Sequence, residues 1–279
     1  MQINLLGGFE VVVDGRRVPP THWRRRRAAA LVKLLALAPR RVLHREQVID
    51  TLWPHLCIRE AAPRLYKAAH YARRALARPQ SLVLSDESVA LFPDAEVAVD
   101  AVRFEQLAGS ARDSRTAGKA ADAYPGDLLP QDLYEAWTDE PRERLRMLYL
   151  RVLRRAGRWQ DIVNIDPTDE SAHLELIRGP AGETRSAVHQ FEWLERGLRR
   201  ELIVAPSPEA VHLRDELAHS VRRGQGQIII LGGPAAGPGQ PMVRREGNSP
   251  YWRVVEAIAE LCRDHPTPPT ATPIAVVIM

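Results

Sequence analysis

Arg64, Lys67, His70, Tyr71 and Arg74 fall on one side of a helix drawn through residues 60–76, opposite Leu65, Ala68, Ala69, Ala72 and Leu76. A helix turns about 100° per residue, so the apolar set forms a stripe that must pack on something. The opposite set offers nitrogen and hydroxyl donors of the kind that bind phosphate oxygens and base edges in the DNA major groove. Arg41 and Arg45 stand near the preceding helix, where they would anchor the DNA backbone. An amphipathic helix with a solvated basic face would show the same wheel, so the wheel alone leaves both readings open.

Charge separates them. The 279 residues carry a net charge of +4, from 39 basic and 35 acidic side chains. Residues 1–80 hold 16 of the basic and 5 of the acidic ones, a local balance of +11, and the remainder stands at −7. A basic first segment on a nearly balanced chain is the footprint of a polyanion-binding domain, and double-stranded DNA fits it best. A membrane surface fits less well, because the arginines are spread over several elements.

The elements that must position this helix are legible around it. Gly7-Gly8 and Asp14-Gly15 punctuate apolar runs, as turns between small strands do. Thr21 to Ala38 predicts a first helix, with Thr21 as N-cap and Pro39 as terminator. Arg45 to Trp53 predicts a second, stopped by Pro54. The third runs from Glu60 to Leu76, since Pro63 is tolerated best in a first turn. A hairpin follows: Leu82–Leu84, a polar turn at Ser85–Ser88, then Val89–Phe92. Strands, three helices and a closing hairpin make a winged helix.

Residues 1–93 resemble the OmpR-type winged-helix DNA-binding domain. LLGGFEVVVDG, LHREQVIDTLWP and KAAHYARRAL resemble the version found in SARP-type bacterial transcriptional regulators. Residues 94–222 are helical by pattern. Within them YPGDLLPQDLYEAWTDEPRERLRMLYLRVL resembles the most recognisable block of the bacterial transcriptional activation domain, at Tyr124, Gly126, Leu128, Leu129, Tyr134, Trp137, Arg142, Leu145 and Tyr149. The resemblance covers about 220 residues. It implies a mainly α chain, an α+β winged helix followed by an all-helical tetratricopeptide-like domain. It further implies promoter binding, contact with RNA polymerase, and a helical domain that engages polymerase or holds protomers together as a homo-oligomer. Tyr124, Tyr134, Trp137 and Tyr149 are expected to pack between helices, as bulky aromatics do.

Three features depart from the pattern. The hairpin turn carries Asp86 and Glu87, where a minor-groove wing offers Arg or Lys. Gly179-Pro180 interrupts a stretch that relatives continue as a helix. The tail, residues 223–279, opens like a phosphate loop. Gly232 and Gly237 have the spacing, but Pro238 and Gly239 stand where Lys and Ser/Thr would hold phosphate and Mg²⁺. The tail is therefore expected to be vestigial or partly disordered.

No catalytic motif or metal-spaced Cys/His set is present, so no enzyme, cofactor or metal is expected. Two cysteines, Cys57 and Cys262, and the lack of a signal peptide or of an apolar run of about 18 residues fit a cytoplasmic protein with no membrane association. The run Arg24–Arg27 covers every side of a helix, so some of it is expected to brace the acidic second domain and some to touch phosphate. The expected function is a DNA-binding transcriptional regulator. The alternative is a helical-repeat interaction scaffold with weak or lost DNA binding.

Overall fold

The computed structural model describes residues 1–178, 184–224, 230–231 and 242–243, with side chains for 1–178 and 187–216. The chain divides into two compact units, Met1–Ile162 and Val163–Met279.

The first unit opens with a sheet of order β3-β2-β1-β7, built from β1 (Gln2–Asn4), β2 (Glu10–Val13), β3 (Arg16–Arg17) and β7 (Ala98–Val99). β2 returns antiparallel to β1, pairing Ile3 with Val11, and both side chains are fully buried. β7 lies parallel to β1. α1 (Arg26–Leu37), α2 (Arg45–Leu52) and α3 (Ile58–Ala75) follow. They enclose Leu31, Leu35, Ile49, Leu52 and Leu65, all inaccessible to solvent. A second sheet, order β4-β6-β5, carries the wing: β4 (Val42–His44), β5 (Leu82–Leu84) and β6 (Ser88–Leu91). The winged helix expected from the sequence is present.

Two helix starts differ from expectation, and two short strands were not expected. Pro20–Trp23 forms a separate 3-10 turn, so Thr21 caps nothing and α1 begins at Arg26. The ring of Trp23 lies 5.1 Å from that of Phe9, which holds the turn against the sheet, and an extended Arg25 breaks it from α1. α3 starts at Ile58, two residues early, which makes Pro63 its sixth residue and deprives the Arg59 carbonyl of its intrahelical donor. Its first turn closes instead on Cys57, whose carbonyl accepts from the N–H groups of Glu60 and Ala61. β4 and β7, of three and two residues, have no sequence signature.

α4 (Asp100–Ser110), α5 (Ser114–Asp122) and α6 (Asp139–Ala156) complete this unit, and α7 (Trp159–Ile165) leads out of it. Tyr124 stacks on Tyr149 with centroids 4.3 Å apart, beside Phe104. Tyr134 does not pack as expected: it is 97% exposed, with Leu133 at 61%.

The N-terminal sheet is welded to this helical segment. The Asp100 carboxylate accepts the N–H groups of Leu5 and Leu6. Burial pushes its carboxyl upward, and these bonds oppose that push. The Leu129 N–H donates to Leu5 O and the Gly7 N–H to Asp127 O, both at 2.9 Å. Gly7 has φ +72°, and a Cβ on Gly126 would sit 3.2 Å from the Gly7 Cα, so side chains at either position would strain this approach.

The second unit contains α8 (Glu170–Arg178), α9 (Thr184–Gly197), a π turn (Leu198–Leu202) and α10 (Pro208–Gly224). Leu174, Ile177, Phe191, Leu194, Leu198 and Ala210 form its core. Gly197 passes so near Pro167 that a Cβ would lie 2.9 Å from that carbonyl oxygen. β8 (Ile230–Leu231) and β9 (Met242–Val243) form a two-stranded ribbon. Gly179-Pro180, the loop from Gly232 to Gly239 and most of the tail after 224 lie outside the described residues. Among the described residues, no helix is long and apolar enough to cross a membrane.

Candidate nucleic-acid interface

The apolar stripe of α3 (Ala61, Leu65, Ala68, Ala69, Ala72, Ala75) is buried against α1, α2 and the wing. Helical geometry then turns Pro63, Lys67, His70 and Arg74 directly outward. Arg64 and Tyr71 lie on one flank, Tyr66 and Arg73 on the other. Arg64, Lys67, His70 and Arg74 are exposed, and Tyr71 is half-buried. Among the described residues, no acidic side chain pairs with Arg64, Lys67 or Arg74.

The flanks carry two contacts invisible in the wheel. The Arg25 guanidinium lies over the Tyr71 ring, 5.1 Å from its centroid. The Arg45 guanidinium lies over Tyr66, also at 5.1 Å. Arg45 begins α2, is half-buried, and its Nε is buried without a hydrogen-bond partner. Sequence alone does not single out Arg25 or Tyr66, since each owes its place to an element remote in the chain.

Arg41 departs from its expected place as an outward anchor. Its backbone is left-handed (φ +60°), which turns the side chain inward. There Nε donates to Leu91 O and Nη2 to the carbonyls of Phe92 and Ala95. It braces the exit of the wing. Arg73 does similar work, donating from Nε to Leu82 O.

The Arg24–Arg27 run is divided. Arg26 and Arg27 both bind Glu135, at 3.3 and 3.0 Å. Arg24 has no partner among the described residues, and Arg25 has Tyr71 alone. Glu135 belongs to a loop held by Arg142, which donates to the carbonyls of Leu128, Leu129 and Asp132 and to Thr138 Oγ1.

The wing turn is locked by Ser85 and Ser88. The Ser88 N–H donates to Ser85 Oγ, the Ser85 N–H to Ser88 O, and the two hydroxyls lie 2.9 Å apart. This leaves Asp86 and Glu87 exposed at the tip, with no Lys or Arg from Leu82 to Phe92. Cations therefore concentrate on α3 and its flanks, and the wing offers negative charge.

No protein-family model matches the chain, and no curated protein does. Among solved structures, that of Mycobacterium tuberculosis EmbR in complex with a low-affinity phosphopeptide aligns with it at a TM-score of 0.54 and 15% sequence identity, covering 86% of this chain and 77% of that one. At that identity the likeness is one of fold: a winged helix followed by a helical domain.

Proposed function

We propose that this protein is a DNA-binding transcriptional regulator that seats α3 in the major groove of promoter DNA. The observation that carries the reading is the outward face of α3, where Lys67, His70 and Arg74 stand exposed and, among the described residues, free of acidic partners. A helix with its side chains is about 10–12 Å across and the major groove about 12 Å wide, so such a face meets base edges while its flanks meet the bordering phosphates. Residues 1–93 form the DNA-binding domain in this reading. Residues 94–222 are the helical activation domain, serving oligomerisation or RNA polymerase contact, and 223–279 are a tail. The fold shared with EmbR supports a regulator, and the +11 balance of residues 1–80 supports DNA as the partner.

The test is the binding of the full chain to a DNA duplex over a range of salt. Lys67→Ala and Arg74→Ala should weaken binding, and each should flatten the salt slope by about 0.9 for every phosphate that the native side chain neutralises. Absence of any salt-dependent affinity in the unmodified chain defeats the reading. The acidic wing favours a second reading, a helical-repeat scaffold with weak or lost DNA binding. Chromatin immunoprecipitation without promoter enrichment, beside recovery of a protein partner, would select it.

A further inference from the structure

We infer that the two arginine–tyrosine pairs, Arg25–Tyr71 and Arg45–Tyr66, are phosphate clamps for the two DNA strands bordering the groove that α3 occupies. The inference rests on the reading above and extends it to residues outside α3. Tyr66 and Tyr71 are five residues apart, about 140° around the helix, so their rings lie on opposite flanks. Each ring carries a guanidinium from a different element: Arg25 precedes α1, and Arg45 begins α2. The two cations thus bracket α3. Stacking on an aromatic face fixes the guanidinium plane and leaves its N–H edge to bind a phosphate through two parallel bonds.

The ion-pair pattern points to an external anion. Arg26 and Arg27 find Glu135, whereas among the described residues Arg25 and Arg45 have no carboxylate.

The experiment uses the full chain and a short fluorescein-labelled mixed-sequence duplex, titrated from low to physiological salt. Arg25→Ala and Arg45→Ala should each flatten the slope of log affinity against log salt by about 0.9, and the double variant by about twice that. Tyr66→Leu and Tyr71→Leu, which keep every charge, should weaken binding by roughly two- to five-fold, and phenylalanine at either position should restore it. Arg26→Ala with Arg27→Ala should leave the slope unchanged. Arg25 is exposed, so its removal reads binding rather than folding. If Lys67→Ala flattens the slope and the Arg25 and Arg45 variants do not, the clamps are overturned and α3 still binds DNA. If the unmodified chain shows no salt-dependent binding, both ideas fall.

Discussion

Lys33 Nζ lies against Asp132 Oδ2 with the two side chains only 11% and 17% exposed, so a helix of the winged domain is joined to the following loop by a nearly buried ion pair. Lys33 also sits 4.7 Å from the centre of the Phe9 ring. Removing one member of such a pair strands the other's charge, which costs about 3–5 kcal/mol, whereas replacing both with apolar groups is often neutral. Lys33→Met and Asp132→Leu should each lower stability by about 3 kcal/mol, and the double variant should recover most of it. Urea unfolding followed by tryptophan fluorescence reads this, since Trp23 and Trp53 lie in the same unit. A double variant as unstable as the sum of the singles would show that the pair does not act as a unit.

The same pair bears on truncation. A fragment of residues 1–93 keeps Lys33 but loses Asp132, β7 and the Asp100 carboxylate that binds the Leu5 and Leu6 N–H groups. A fragment of residues 1–162 keeps all of them. The shorter fragment should therefore unfold at distinctly lower urea concentration, and equal midpoints would mean that the weld contributes little.

α3 ends in a turn in which the Arg78 N–H donates to Arg73 O and the Ala77 N–H to Arg74 O. Ala77 holds φ +52° there, a conformation that costs an L residue about 1 kcal/mol and glycine almost nothing. Ala77 is exposed, so losing its methyl group removes no packing. Ala77→Gly should raise stability by about 1 kcal/mol in urea unfolding and leave DNA affinity unchanged. A destabilised variant would mean that the turn is held by something other than this geometry.

The limits of sequence reading follow from how far apart the partners are. α2, α3 and the wing hairpin were legible because Leu65, Ala69 and Ala72 repeat at helical spacing and Ser85–Ser88 interrupts two apolar runs. β7 was not, because Ala98–Val99 becomes a strand only by pairing with Gln2 and Ile3, across most of the unit. Arg41 and Arg45 look alike in sequence, yet a left-handed backbone at Arg41 sends one inward and leaves the other beside Tyr66. Tyr134 matched the expected motif, but the loop that Arg142 holds turns its side chain to solvent. Helical periodicity gave the inner face of α3, and it said nothing of which neighbours would meet its flanks or of residues held by loops and remote strands.

The wing makes the DNA reading vulnerable in a measurable way. Asp86 and Glu87 sit exposed at its tip, where approaching phosphates would repel them. Asp86→Ala combined with Glu87→Ala should raise affinity for duplex DNA by roughly two- to five-fold at low salt, the scale of a surface charge interaction. The gain should shrink at high salt, where exposed charges are screened. Affinity unchanged at both salts would mean that the wing holds its carboxylates away from DNA.

His173 in the second unit is fully buried, with Nε2 3.0 Å from Pro167 O and Nδ1 2.9 Å from the Gln190 amide nitrogen. The first contact needs a proton on Nε2, and the second needs Nδ1 to accept, so the pocket fits the neutral ring. Burial holds its pKa below the ordinary 6.5, outweighing the hydrogen bonds and nearby carboxylates that pull it upward. The unfolded chain therefore binds a proton at a pH where the folded chain does not. Stability from this residue is complete above pH 6.5 and is lost as pH falls through the folded pKa. The second unit should accordingly weaken on acidification just below pH 6.5, ahead of ordinary carboxylate titration. His173→Gln, which cannot take up that proton, should start less stable and lack this loss. Urea midpoints measured across the window decide it: a variant that declines as steeply as the unmodified chain would assign the acid sensitivity to other groups.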